Sequence, residues 1–214
     1  MSCRLCGGRP TLRLMLGESP YEDCLACGYL GLSTSRFLDR RSELERYRLH
    51  RNDPGESGYR AFLESFIEAA IAPYLARGAS ILDFGSGPRP ALAELLLERG
   101  WDAAAYDPFF APGDAWRRRS WDAATVHEVA EHLRSPYRSL SALASRIAPG
   151  GFLAIRTRFA PESAEELASW WYRLDPTHIG FFREKSFAVL AGRIGMTVSK
   201  IQRPDVAVLT KPRP

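Results

Sequence analysis

Three groups of side chains in this chain have the types and spacing that chemistry requires. Glu128, Glu131 and His132 stand at i, i+3 and i+4. On a helix that spacing places both carboxylates and the imidazole on one face. The pattern is not the H-E-x-x-H of zinc proteases, because His127 and His132 are five positions apart. A lone histidine, His178, ends the turn Asp175-Pro176-Thr177-His178. The second group holds all four cysteines, as Cys3-x-x-Cys6 and Cys24-x-x-Cys27. Two close pairs across a short segment have the ligand spacing of a four-thiolate zinc site, which is structural because it leaves no open position. Gly7-Gly8 and Gly28 give the turns room to aim thiolates and N–H groups inward. Two disulfides would require export, and a redox pair would not need duplication. The third group is Gly85-Ser86-Gly87, a turn whose bare backbone lets a ligand approach.

The elements around that turn read as half of a nucleotide-binding α/β fold. Residues 80–84 run β-branched and apolar, as in a buried strand, and end on Asp83-Phe84 before the glycines. Pro90 suits a first helical turn, Leu92, Leu95 and Leu96 recur at helical spacing, and Gly100 sits where a helix ends. A second strand, 102–106, leads into Asp107 and Pro108, with the acid about 20 residues past the turn, where a ribose-binding carboxylate belongs. A dinucleotide fingerprint would need glycine where Pro90 stands, so a dehydrogenase is the weakest reading. Further strands are expected at 121–126, 152–158, 196–202 and 206–210. Helices are expected at 36–50, 62–75 with a kink at Pro73, 134–147, 162–171 and 184–194.

At 214 residues, 45% hydrophobic and 25% charged, the chain has the composition of a globular protein with one core and a small appendage. It contains no apolar run of about 18 residues and no signal-like N-terminus, so a cytoplasmic protein without a membrane span is expected. The net charge of +4 permits an anionic partner without requiring one. Arg117-Arg118-Arg119 is the densest basic run and reads first as a solvated loop.

The pieces LDFGSGP, Asp107, WDAATVHEVAEHL and APGGFLAIRT occur in one order across residues 80–210. Together they resemble the class I S-adenosylmethionine (SAM)-dependent methyltransferases. The resemblance implies a Rossmann-like α/β fold with a seven-stranded sheet. Only 13 residues separate Asp107 from the strand at Trp121, so a trimmed sheet is expected. The chain then divides into a zinc ribbon (1–35), a helical connector and lid (36–78) and a SAM-dependent methyltransferase domain (79–214). The resemblance assigns Asp83, Gly85, Ser86, Gly87, Asp107, Pro108 and Glu128 to the cofactor. It offers Tyr47, His50 and Tyr59 as lid residues, Asp114 as an adenine contact, and Trp170-Trp171-Tyr172 as an aromatic wall over the active-site mouth.

E-x-x-E-H with a distant histidine is similar to the metal site of ubiquinone-biosynthesis O-methyltransferases and of small-RNA 2′-O-methyltransferases. By that similarity Glu128, Glu131, His132 and His178 would hold one divalent ion, Mg²⁺, Mn²⁺, Fe²⁺ or Zn²⁺, and lower the pKa of a substrate hydroxyl. Two alternatives stand beside it: His178 acts alone as general base without metal, or the Glu-His pair merely caps a helix and lines the pocket. The expected activity is SAM-dependent methylation of a small molecule, at oxygen. The alternatives are an RNA- or nucleotide-linked acceptor gripped by the ribbon and the arginines, and a non-catalytic SAM-binding module.

Overall fold

The computed structural model describes residues 2–9, 12–49 and 57–213. His50, expected in the lid, lies outside the described residues. Two sheets carry the fold. The smaller begins with three antiparallel strands, β1 (Leu12–Leu16), β2 (Ser19–Cys24) and β3 (Tyr29–Leu32). Helix α1 (Arg40–Tyr47) follows, started by Asp39, whose carboxylate accepts the Ser42 N–H at 2.8 Å. Helix α2 (Ser57–Ala70) ends three residues before Pro73, so the expected kink is instead a helix end and a turn.

The larger sheet then builds up in sequence. Strand β4 (Ser80–Phe84), helix α3 (Ala91–Glu98), β5 (Asp102–Tyr106), β6 (Trp121–His127), helix α4 (Pro136–Ala144) and β7 (Ile147–Arg156) alternate strand and helix. A short helix, α5 (Ala164–Ser169), and a 3-10 turn (Trp171–Leu174) lead to β8 (Gly180–Phe181). Helix α6 (Glu184–Arg193) and the hairpin β9 (Thr197–Gln202) and β10 (Val206–Thr210) end the chain. The strand order is β5-β4-β6-β7-β10-β9, with β5, β4, β6 and β7 parallel and β10 antiparallel to both neighbours. Six strands are present rather than seven, because 108–120 holds only a 3-10 turn (Ala115–Arg118) where a helix and strand would otherwise fit.

The alternation along β4 explains the layering. Ile81 points with Ala123, Phe152 and Val208 toward α2 and α3, while Leu82 and Phe84 point with Ala124, Leu153 and Leu209 toward α4 and α6. Both faces are covered, so every residue of β4 is buried. No helix among the described residues is long and apolar enough to cross a membrane.

The small sheet is completed from far along the chain. β8 pairs antiparallel with β3, Leu30 opposite Phe181 and Gly31 opposite Gly180. Leu16, Tyr21, Leu30 and Leu32 share a core with Leu167, Tyr172, Ile179 and Phe181. A buried pair, Arg183 with both oxygens of Asp23 (2.9 and 3.1 Å), ties the start of α6 to β2.

Candidate functional site

The glycine turn and the ends of β4, β5 and β6 open on a cavity of about 780 Å³. Gly85 and Gly87 have φ of 88° and 70°, the left-handed region that favours glycine. The Gly85 and Ser86 N–H groups donate to the Tyr106 carbonyl at 2.7 and 3.1 Å, folding the turn across β5. A Cβ on Gly85 would come within 2.5 Å of a Val129 methyl, so the turn and the segment after β6 fit only without a side chain. Asp107 accepts the Gly87 N–H at 3.0 Å and the Phe109 and Phe110 N–H groups at 2.8 and 3.0 Å, which fixes its carboxylate at the cavity wall. Asp83, 3% exposed, accepts the Thr125 hydroxyl at 2.9 Å; burial pushes its carboxyl up to about 7 against that hydrogen bond.

Of the other residues assigned to the cofactor, Ser86, Pro108 and Glu128 line the same cavity, as do Tyr47 and Tyr59 of the lid. Tyr47 packs edge-on against both Phe109 and His132, at 5.6 and 5.4 Å between ring centroids. Arg156 holds α2 in place by donating to the Phe62 carbonyl at 2.9 Å and the Ser65 hydroxyl at 3.0 Å. Asp114 is not at the cavity: it pairs with Arg118 on the surface. Trp116 and Arg117 line the cavity in its place, because the trimmed 3-10 turn points them inward. The arginine run therefore splits, with Arg119 paired to Asp102.

The expected helix through Glu128–His132 does not form. Glu128 has φ of 53°, and only a 3-10 turn, Ala130–His132, follows. Two long-range bonds explain this: the Glu128 N–H donates to Arg156 at 2.8 Å, and the Glu131 carbonyl accepts the Ile179 N–H at 2.9 Å. A right-handed helix cannot pass through a residue at that φ, and one running on from there would turn the Glu131 carbonyl toward the N–H four residues further along rather than toward Ile179. The turn still gathers three of the four proposed ligands. Potential metal-binding atoms of Glu131, His132 and His178 all lie within 4.8 Å of one another. Glu128 is not in that group. It is joined to it through Tyr172, whose hydroxyl lies 2.5 Å from Glu131 Oε1 and 3.0 Å from Glu128 Oε2.

Each histidine is oriented by a backbone carbonyl. His132 Nδ1–H donates to Thr177 at 2.9 Å and His178 Nδ1–H to Tyr172 at 2.6 Å, assigning Nε2 as the lone-pair nitrogen of each ring. Glu131 is fully buried, and its Oε2 has no hydrogen-bond partner among the described residues. Burial, then the neighbouring Glu131 charge, pushes Glu128 up to about 8. Burial, then His132, pulls His178 below the ordinary histidine value. Burial and the two carboxylates hold Tyr172 well above the usual phenol range, so it stays a neutral donor.

The expected aromatic wall is not at the mouth. Tyr172 is buried behind the carboxylates, Trp170 packs on Phe181, and Trp171 is 63% exposed on the outer surface. Sequence reasoning missed the part of Tyr172, for which the only signal was its place six residues before His178. It also missed His127, set between the Phe62 and Phe66 rings at 5.1 and 4.9 Å, where burial and then Arg156 pull it down to about 3. The four cysteines converge as well. Cys3 Sγ lies 3.6 Å from Cys27 Sγ, and Cys6 Sγ lies 3.5 Å from Cys24 Sγ. Those edges match a tetrahedron of thiolates around one ion with bonds of about 2.3 Å and are far longer than a disulfide's ~2.05 Å.

Comparison with known proteins bears on the fold and the family. The family model described as a methyltransferase domain matches residues 56–201, more than half of the chain. The chain belongs to that family. No curated protein sequence matches it. Solved structures share the fold of this methyltransferase at low identity. One is 1,6-didemethyltoxoflavin-N1-methyltransferase from Burkholderia thailandensis, bound to 1,6-didemethyltoxoflavin and S-adenosylhomocysteine. It has a TM-score of 0.61 at 14% identity, over 94% of this chain and 100% of that one. Magnesium protoporphyrin IX methyltransferase from Synechocystis PCC 6803, also with bound S-adenosylhomocysteine, gives 0.55 at 15%, over 79% and 94%. An O-methyltransferase family protein from Burkholderia thailandensis gives 0.56 at 12%, over 72% of this chain but only 56% of that protein.

Proposed function

We propose that the protein is a SAM-dependent methyltransferase that methylates an oxygen of a small acceptor, with a divalent ion held by Glu131, His132 and His178. Support for the cofactor comes from the bare backbone at Gly85 and Gly87, the fixed Asp107 carboxylate for ribose hydroxyls, and Asp83 for the positively charged methionine portion. Bound there, SAM supplies an electrophilic methyl group on its sulfonium. The protein positions the acceptor and excludes water, with Tyr47, Tyr59 and Phe62 giving the cavity an aromatic side that suits a small, partly apolar acceptor.

The observation that carries the metal is the orphaned Oε2 of Glu131. A buried carboxylate oxygen with no donor is expensive, and a cation beside it removes that expense. Two imidazoles with Nδ1 tied to carbonyls complete the donor set, the outer hydrogen bonding that metal-ligating histidines use. Such an ion would act as a Lewis acid that lowers the pKa of an acceptor hydroxyl, and the donor set suits Mg²⁺, Mn²⁺, Fe²⁺ or Zn²⁺. Glu128 then supports the group through Tyr172 rather than ligating. A second reading has its own observation: His178, neutral and with Nε2 as its lone-pair nitrogen, is built as a general base without metal. The four cysteines hold structural zinc.

The test is methyl-labelled SAM with fractionated extract, after gentle chelation that leaves zinc at the cysteines, with Mg²⁺ or Mn²⁺ then restored. Label lost on chelation and recovered with metal supports the ion; chelator-insensitive label transfers the role to His178. Glu131→Gln and His178→Ala should each abolish turnover while SAM binding, read by calorimetry, persists. Near-normal turnover in either variant sinks the metal site.

A further inference from the structure

The cysteine cluster and the histidine cluster are usually separate matters, one structural and one chemical. Here a short chain of hydrogen bonds joins them. Arg4 lies inside the first cysteine pair, between Cys3 and Cys6. Its Nη2 donates to the Ile179 carbonyl at 2.5 Å and to the Leu32 carbonyl at 3.2 Å, and its guanidinium lies over the Phe37 ring at 4.8 Å. The same Ile179 carbonyl accepts the Leu32 N–H at 2.9 Å, and the Ile179 N–H donates to Glu131 at 2.9 Å. Ile179 is the residue after His178.

The segment that carries His178 is thus gripped on two sides. On one side, Glu131 and His132 bind Ile179 and Thr177. On the other, Arg4 and β3 bind Ile179, and β8 lies on the ribbon. Two glycines mark how closely the parts fit. A Cβ on Gly31 would come within 2.9 Å of Arg4 Nη2, and one on Gly180 would lie 1.9 Å from the Tyr29 hydroxyl. A side chain at position 31 would press on the end of the Arg4 side chain and, at 3.1 Å, on the Tyr29 ring.

We propose that Arg4 is a positioning residue for His178, and that the metal-binding ribbon is through it a working part of the active site. The four sulfurs fit a single ion, as their 3.5 and 3.6 Å edges show. With that ion bound, the turn that carries Arg4 is held in one shape, and the hydrogen bonds through Ile179 hold the His178 segment against Glu131. The inference takes His178 as the active-site residue of the function proposed above.

The experiment compares the full-length, zinc-loaded protein with Arg4→Met, Arg4→Lys and Gly31→Ala. The chain has four histidines, so ring signals can be resolved by NMR in the absence of any acceptor. In Arg4→Met the His178 ring signal should move and broaden while His127, at the end of β6, stays in place. Arg4→Lys should restore part of the wild-type position. Zinc content and SAM affinity should remain within about twofold, and kcat should fall on the order of tenfold to a hundredfold, as for a misplacement of about 1 Å. Should Arg4→Met release its zinc, Gly31→Ala decides, because its Cβ presses on the Arg4 side chain and the Tyr29 ring without touching a thiolate, so that an unmoved His178 signal there leaves Arg4 no positioning role. A His178 signal that overlays on wild type in zinc-loaded Arg4→Met, or failing that in Gly31→Ala, overturns the inference. Absence of turnover in the wild type would count against the methyltransferase reading and leave the histidine spectrum to decide this one.

Discussion

Asp83 offers the sharpest quantitative test, because the structure buries an acid where stability alone would not. Its carboxyl is 3% exposed, and burial raises it from 3.8 to about 7. A gap of about three pH units at about 1.36 kcal/mol each is roughly 4 kcal/mol. The folded value is the higher one, so the folded state favours the protonated acid. The resulting stability is fully present below 3.8, declines as pH rises, and is gone above about 7. Asp83→Asn keeps an oxygen for the Thr125 hydroxyl, 2.9 Å away, and removes the charge. The variant should match the wild type near pH 4 and exceed it by roughly 2–4 kcal/mol near pH 8. Urea unfolding across that range measures the difference. SAM affinity should show the opposite sign: the cationic cofactor favours the carboxylate, so wild-type binding strengthens as pH rises through about 7 and the variant binds weakly throughout. A stability difference that stays flat with pH would refute the reasoning, since it would mean that Asp83 titrates alike in both states.

Three further perturbations test other parts of the fold. Gly85→Ala combines a φ of 88° with a 2.5 Å approach to Val129; it should destabilise by about 1–3 kcal/mol from backbone strain alone and lose SAM binding by calorimetry. Adding Val129→Ala should recover the contact part of the loss but not the strain. Arg183→Met leaves Asp23 buried without its partner and should lower stability by roughly 3–5 kcal/mol in thermal unfolding. Tyr172→Phe removes the hydroxyl 2.5 Å from Glu131 Oε1 and should weaken Mn²⁺ binding about 10–100-fold in an electron paramagnetic resonance titration; unchanged affinity would detach the tyrosine from the cluster.

The large sheet was legible because its strands carry their own signal. Residues 80–84 and 121–126 are mostly apolar and stop at glycine and histidine, as parallel strands buried on both faces must, while 102–106, at the sheet edge and only partly buried, shows itself by three alanines and a tyrosine running up to Asp107. The shortened stretch 108–120 likewise announced the missing strand, since 13 residues cannot hold a helix and a strand with their turns. What could not be read was β8. Two residues, Gly180-Phe181, carry no periodicity, and their partner β3 lies about 150 residues earlier in the chain. Without β8, the ribbon reads as an appendage and the aromatic segment before it as a cavity wall.

The candidate site shows the same divide between local and distant causes. The residue types at 128, 131, 132 and 178 were visible in the sequence; the helix assumed to gather the first three was not the device that does so. Spacing of three and four suggests a helix only when nothing else competes for the backbone. Here β7 takes the Glu128 N–H and the stretch before β8 takes the Glu131 carbonyl. The chain consequently passes through a left-handed residue at Glu128, which turns that side chain toward Tyr172 and leaves Glu131 and His132 facing His178. A helix would have exposed three ligands in a row along one face. The observed turn instead buries Glu131 completely, and burial is what makes its unpartnered oxygen costly enough to favour a cation.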